Sequence, residues 1–199
     1  MNRPKNRYYV DLDLPYQVNC NLEFLKSNCK ISPIQRHWNK FGPRQIEYML
    51  SKDLLDWFDS VGVHIPTVEV FFTKPNATAP WHIDMSPPQD HIKINWVWEE
   101  GTEGISYMEY SEIELGEAIR NTKKTIVGTE YILLDDSTVP VDRINLRGPT
   151  MINAGKPHRA HNLKPSGRWC LSTIPKYKGT DVRILWDDAL KIFSKNLLV

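Results

Sequence analysis

The sequence predicts a mainly β fold, an antiparallel sandwich or jelly roll with helices flanking it. Three observations predict it: six short runs of strand character between residues 67 and 174, turn-forming residues between them, and helical periodicity only outside that stretch. The 199 residues suit one domain. It divides into an N-terminal helical region that braces the sheet (1–65), a β core (66–175) and a C-terminal helix (176–199).

From Pro43 to Val61, apolar side chains recur at Ile46, Met49, Leu50, Leu54, Trp57, Phe58 and Val61, and Gly62 follows as a stop. That spacing predicts one amphipathic helix. The period then changes. Residues 67–73, 92–98, 105–110 and 130–134 mix β-branched and aromatic residues in short runs bounded by Pro, Gly, Asn or Asp, as do 150–153 and 167–174. A second helical pattern runs from Val182 to Leu198. Residues 111–128 are compatible with a short helix or a loop insertion.

Charge narrows the function classes. Lys and Arg total 25 against 24 Asp and Glu, a formal charge of +1, with both signs mixed along the chain. A protein built to neutralise many phosphates carries a basic stripe, so the balance argues against a nucleic-acid partner. Cys20, Cys29 and Cys170 are an odd count at wide spacing, which fits neither a disulfide framework nor a four-cysteine zinc site. The first 14 residues lack the apolar stretch of a signal peptide, and no apolar run is long enough to span a membrane. A soluble, cytoplasmic protein without a membrane partner is the expectation.

Candidate chemistry lies among the six histidines. His82 and Asp84 stand two apart in Trp81-His-Ile-Asp84. On an extended chain that spacing turns both side chains to one side, where an imidazole and a carboxylate can converge on one ion. With six histidines and 24 acidic residues, a lone pair of this kind is ordinary, so the remaining pattern carries the weight. Further along come Asn153-Ala-Gly-Lys-Pro-His158-Arg-Ala-His161-Asn162 and then Arg168. His158 and His161 both offer a third ligand, and strand alternation turns them to opposite faces. His37, His64 and His91 have no partner at ligand spacing and read as structural or surface residues.

The order of a strand, His82-x-Asp84, a strand bearing Asn95, then Asn-x-x-x-Pro-His158-x-x-x-Asn and Arg168 on the last strand resembles the iron(II)- and 2-oxoglutarate-dependent dioxygenases. The resemblance covers about residues 66–175. It implies a double-stranded β-helix core, the cupin-like jelly roll, and an Fe(II) ion held by His82, Asp84 and His158 as catalytic metal ligands. It assigns Arg168 to the distal carboxylate of 2-oxoglutarate, for which a planar guanidinium fork is suited. Ser172 shares a strand face with Arg168 and offers a second hydrogen bond. Many relatives place that hydroxyl two residues after the arginine, where this chain has Cys170. Asn95 resembles a residue near the co-substrate.

The implied activity is an oxidoreductase, a hydroxylase that uses 2-oxoglutarate and O2 and releases succinate and CO2. Related halogenating enzymes lack the carboxylate ligand, so Asp84 points to hydroxylation. The substrate is a peptide side chain or a small metabolite, and no motif chooses between them. Two other readings stay open: the same cluster could hold Zn²⁺ in a cupin-type hydrolase or isomerase, or the fold could be a non-catalytic binding module. Trp81, Trp96 and Trp98 suit core packing, with room for one to line a pocket. The loop from Met85 to His91 is a mouth, a lid or a plain connection.

Overall fold

The computed structural model describes residues 7–29, 37–41, 43–85, 87–113, 119–124 and 130–198. Strands β1 (Tyr9–Leu12), β2 (His37–Phe41), β3 (Val63–His64), β4 (Val68–Thr73), β5 (Ala77–Thr78) and β6 (His82–Ile83) occupy the first half. They are followed by β7 (Ile92–Glu99), β8 (Ser106–Tyr110), β9 (Ile119–Lys124), β10 (Glu130–Leu134) and β11 (Asp142–Ile144). The last are β12 (Thr150–Asn153), β13 (His158–Asn162), β14 (Arg168–Thr173), β15 (Lys176–Tyr177) and β16 (Leu197–Leu198). Helices α1 (Leu22–Asn28), α2 (Pro43–Met49), α3 (Lys52–Ser60) and α4 (Trp186–Ile192) flank them.

Two antiparallel sheets face each other. The larger runs β16-β1-β12-β7-β14-β4-β2, and the smaller runs β11-β8-β13-β6-β10-β9 with β5 also paired to β13. From β4 onward the chain passes repeatedly from one sheet to the other, so sequential strands are rarely neighbours. That is the jelly-roll, double-stranded β-helix topology. A pair of short strands, β15 and β3, lies apart.

Side-chain alternation divides the larger sheet into two chemically distinct faces. Val68, Val70, Ile92, Ile94, Trp96, Met151, Trp169 and Leu171 point outward and share one buried cluster with Leu54, Phe58, Trp186 and Phe193 of the helices. The opposite parity, Glu69 on β4, Lys93 and Asn95 on β7, and Arg168, Cys170 and Ser172 on β14, faces the smaller sheet and is buried too. Apolar residues fill the rest of the space between the sheets, among them Met108, Tyr110 and Ile152. The polar stripe is therefore enclosed, and it is where the site forms.

The predicted helix from Pro43 to Val61 is two helices. Ser51 adopts an extended backbone and its side chain accepts from the Leu54 N–H at 3.1 Å, starting α3 afresh. The Met49 carbonyl, which would continue α2, instead accepts from the Asn19 and Cys20 N–H groups at 2.9 and 3.1 Å. The C-terminal helix is likewise shorter than the 182–198 pattern. After α4 the chain turns, the Asn196 carbonyl accepts from the Asp13 N–H and its side-chain Nδ2 donates to the Asp13 carbonyl, and Leu197 and Leu198 pair with Leu12 and Asp11. An apolar tail finds a sheet edge there. Strands β1, β2 and β3 also lie within 1–65, the region read as helical and bracing. Within 111–128, residues 119–124 form β9, and residues 114–118 and 125–129 lie outside the described residues. Among the described residues no helix is long and apolar enough to cross a membrane.

Candidate metal centre

Strands β6 and β13 pair so that His82 stands directly opposite His158. Their rings lie 4.4 Å apart, centroid to centroid. Asp84 follows β6, its N–H donating to the Ala154 carbonyl at 3.2 Å, which draws the chain towards the β12–β13 turn. The carboxylate thereby reaches both rings: Oδ1 is 3.4 Å from His82 Nε2 and Oδ2 is 3.8 Å from His158 Nε2. One potential ligand atom from each of the three side chains lies within 4.8 Å of the others, so the group can hold a metal ion. His158 is buried, while His82 and Asp84 are partly exposed and open the site to solvent.

The histidines are set for that task by their other nitrogens. His82 Nδ1 lies 2.9 Å from the Pro80 carbonyl and His158 Nδ1 lies 2.8 Å from the Lys156 carbonyl. A carbonyl only accepts, so each Nδ1 carries the hydrogen and each Nε2 keeps its lone pair for the centre. Burial pushes the His158 imidazole down to about 4, and the charge of His82 adds to this against the pull of Asp84. His158 is thus neutral near pH 7, the form that binds metals. Burial alone would raise the Asp84 carboxyl. The Lys93 ammonium beside it is the main influence that holds it well below the usual carboxylate range.

A second polar group lies on the inner face of the larger sheet. Arg168, at the start of β14, is 3% exposed, and its Nε and Nη2 have no hydrogen-bond partner among the described residues. Those two nitrogens form one edge of the guanidinium fork. On the same face the Ser172 Oγ is buried and without a partner among the described residues, as is Oδ1 of Asn95, which pairs with Ser172 across β14 and β7. Opposite them, the Tyr110 hydroxyl is buried without a partner among the described residues, its ring centroid 6.0 Å from that of His158. Burial, and next the Asp84 charge, raise that phenol well above its ordinary value. Buried donors and acceptors left unpaired cost about 1–3 kcal/mol each, more when charged. Their concentration in one barrel marks a place suited to a small anion, above all a carboxylate on the Arg168 edge.

All six predicted site residues therefore face the same interior, in two groups: His82, Asp84 and His158, and Arg168, Ser172 and Asn95. His161 faces the other way. It lies opposite Thr78 on β5, and its Nδ1 and Nε2 meet Thr78 Oγ1 at 3.0 Å and Glu109 Oε2 at 2.9 Å. Glu109 also pairs with Arg143 and Arg159 there. His91 is buried between the Gln89 carbonyl and the Arg183 guanidinium, His64 lies exposed in β3, and His37 falls in β2. Trp96 belongs to the large core and Trp98 packs against it. Trp81 is fully buried beneath the Arg159 guanidinium, 4.5 Å from the ring centroid. Asn162 donates to the carbonyls of Thr73, Lys74 and Ser166, fixing the turn that leads into Arg168.

The loop after Asp84 is a pinned connection in its described part. Asp90 and His91 carbonyls accept from Trp186 and Ala154, and a Cβ at Gly155 would come within 1.8 Å of the Gln89 carbonyl oxygen. Gly155 is needed for that close approach.

Sequence reasoning did not single out Lys93, Glu69 or Tyr110. Lys93 Nζ contacts Asp84 Oδ2 at 2.9 Å and Glu69 Oε2 at 2.9 Å, and Lys93 and Glu69 are each 6% exposed. The signal was present as parity. In Val68-Glu-Val70 and Ile92-Lys-Ile94, a charge stands alone between core-facing residues, on the face that a jelly roll turns inward.

No protein-family model and no curated protein matches this chain. Solved structures do. A 2OG-Fe(II) oxygenase family oxidoreductase from Burkholderia pseudomallei is similar at 8% identity and a TM-score of 0.39, over 67% of this chain and 55% of that one. A Pseudomonas putida prolyl-4-hydroxylase is similar at 13% identity and a TM-score of 0.42, over 77% and 79%. Vicilin from Corylus avellana is similar at 14% identity and a TM-score of 0.35, over 73% of this chain and 31% of that one. The chain thus spans about half of the first of these and about a third of the vicilin. Enzymes and a vicilin stand side by side at such distances, so function is argued from the site alone.

Proposed function

We propose that this protein is a non-heme Fe(II)- and 2-oxoglutarate-dependent dioxygenase that hydroxylates a C–H bond of a peptide side chain or small metabolite. The observation that carries the reading is the meeting, inside one jelly roll, of a His-Asp-His cluster with a buried arginine fork that has no partner among the described residues. A metal cluster alone would suit many chemistries. The fork adds a specific demand for a carboxylate held deep in the barrel, and a dicarboxylic acid spanning from fork to metal meets it.

His82, Asp84 and His158 would hold the iron through one nitrogen each from the imidazoles and an oxygen from the carboxylate. Two histidines and one carboxylate leave open positions, which is the ligand set associated with non-heme Fe(II) oxygenases. Arg168 would take the distal carboxylate of 2-oxoglutarate through Nε and Nη2, with the Ser172 and Tyr110 hydroxyls as further donors and Asn95 beside them. Bound together, Fe(II) and 2-oxoglutarate would supply the chemistry that uses O2, one of its oxygen atoms going into succinate as CO2 is lost and the other into a C–H bond of the substrate. The protein's own part is orientation. The Pro80 and Lys156 carbonyls aim the imidazoles, and the apolar lining around Met108, Tyr110 and Ile152 limits water around the charged groups.

The test is anaerobic reconstitution of the purified protein with Fe(II) and 2-oxoglutarate. The expected result is a weak visible charge-transfer band that requires both components and is absent from the Asp84→Ala variant. Tight binding of Zn²⁺ with no such band under iron would replace this reading with the zinc enzyme.

A further inference from the structure

The proposed function leaves one buried charged pair unused. Lys93 reaches across the barrel from the larger sheet to Asp84, and Glu69 holds the same ammonium from the other side, both at 2.9 Å. Lys93 and Glu69 stand where strand alternation would accept any residue of inward parity. Exchanging a buried ion pair for apolar residues of similar volume is often neutral or stabilising, so stability alone does not call for the pair. Its geometry bears on the ligand set. Asp84 has two oxygens: Oδ1 faces His82 Nε2 at 3.4 Å, whereas Oδ2, 3.8 Å from His158 Nε2, is bonded to Lys93 at 2.9 Å.

We propose that Lys93, braced by Glu69, is a positioning residue that commits Asp84 Oδ2 and so makes Asp84 a one-oxygen ligand of the metal. The inference rests on His82, Asp84 and His158 holding a divalent ion. A carboxylate free to chelate through both oxygens would fill two octahedral positions and, with two imidazoles, leave two open. Committing one oxygen leaves three, enough for a two-atom chelate and one more ligand. Glu69 has a separate part in the device. An ammonium tied only to Asp84 could swing toward the imidazole nitrogens and compete with the ion, and a second carboxylate on β4 holds it back.

The experiment counts the open positions directly, with Mn(II) as the probe and water-proton relaxation of the full chain as the readout. Lys93→Met/Glu69→Met removes both charges together, so neither is left buried alone. At saturating protein the relaxivity per bound Mn(II) is expected to fall by about one third, from three exchangeable waters to two. Lys93→Met/Glu69→Gln gives the same reading if the first variant does not fold, and a rescuing Lys93→Gln/Glu69→Gln, which retains an N–H donor, is expected to keep the higher value. Equal relaxivity in the natural chain and the Met variants overturns the role of Lys93 while leaving the metal reading intact. Failure of the natural chain to bind Mn(II) at all overturns both.

Discussion

His82 and His158 face each other across paired strands, and each donates its Nδ1 hydrogen to the carbonyl two residues earlier, Pro80 and Lys156. His91 makes the same local bond to Gln89. The device is a short-range one that any extended histidine can form, yet only the first two stand where their remaining nitrogens converge with a carboxylate.

That convergence separates two neighbouring histidines. His158→Ala and His82→Ala are each expected to weaken Mn(II) or Fe(II) binding by at least about a hundredfold, more than the loss of an outer-shell partner causes. His161→Ala is expected to change metal affinity by less than about twofold. Its cost is stability, about 1–3 kcal/mol, because Glu109 loses a partner in a buried position. Isothermal titration with Mn(II) and urea unfolding of the same proteins check both halves. Metal binding lost on changing His161 and kept on changing His158 would reverse the assignment.

Arg168→Lys retains a charge and discards the fork. One charge-assisted hydrogen bond is worth about 1.5–3 kcal/mol, so the concentration of 2-oxoglutarate needed for half-maximal succinate formation is expected to rise about 10- to 100-fold. Ser172→Ala removes a neutral donor and is expected to raise it by less than about tenfold. An Arg168→Lys protein with an unaltered requirement places the carboxylate elsewhere.

The buried His91 couples stability to pH. Burial, then the Arg183 charge, push its imidazole from 6.5 to about 4. Asp84 and the bond to Gln89 oppose the shift, and Lys93 adds to it. In this range the unfolded chain binds a proton that the folded chain refuses. Stability is therefore level above pH 6.5 and falls as the pH drops towards 4, by up to about 3 kcal/mol from this group. His158, pushed to about 4 by burial and by His82, steepens the same slope in the metal-free protein. Urea unfolding at pH 7 and pH 4.5 is expected to show a smaller difference in His91→Gln than in the natural chain. A pH dependence identical in the two proteins would falsify the contribution of His91.

Gly155→Ala tests the seating of the loop behind the metal cluster. The added methyl would stand 1.8 Å from the Gln89 oxygen and 2.8 Å from the Asp90 Cα, both backbone atoms, so the loop must move. Overpacking of this kind costs about 1–3 kcal/mol. The displacement passes to Asp84 through its bond to the adjoining Ala154 carbonyl, so metal affinity is expected to fall together with melting temperature. A lowered melting temperature at full metal affinity shows the loop and the carboxylate to be independent.

Much of the fold and of the candidate site was legible in the sequence because side-chain parity is local. Alternation along 92–98 and 167–174 separates Trp96, Trp169 and Leu171 from Asn95, Arg168 and Ser172, and the structure puts the first set in the helix-covered core. Parity also put His82 with Asp84 and His158 apart from His161. Helix ends and sheet edges were less legible, because distant partners decide them. Helix α2 stops where residues 19 and 20 claim the Met49 carbonyl, and the last leucines become a strand because β1 offers them an edge. Neither event leaves a periodic trace.

The sequence by itself determined which residues share a face, since two residues make one turn of an extended chain and covalent geometry enforces it. Only the tertiary structure decided which faces meet. The register that sets His158 against His82, and the reach of Lys93 to Asp84 with Glu69 behind it, follow from how two sheets stack across a common interior. Such contacts join residues remote along the chain, and the packing of the whole core selects them.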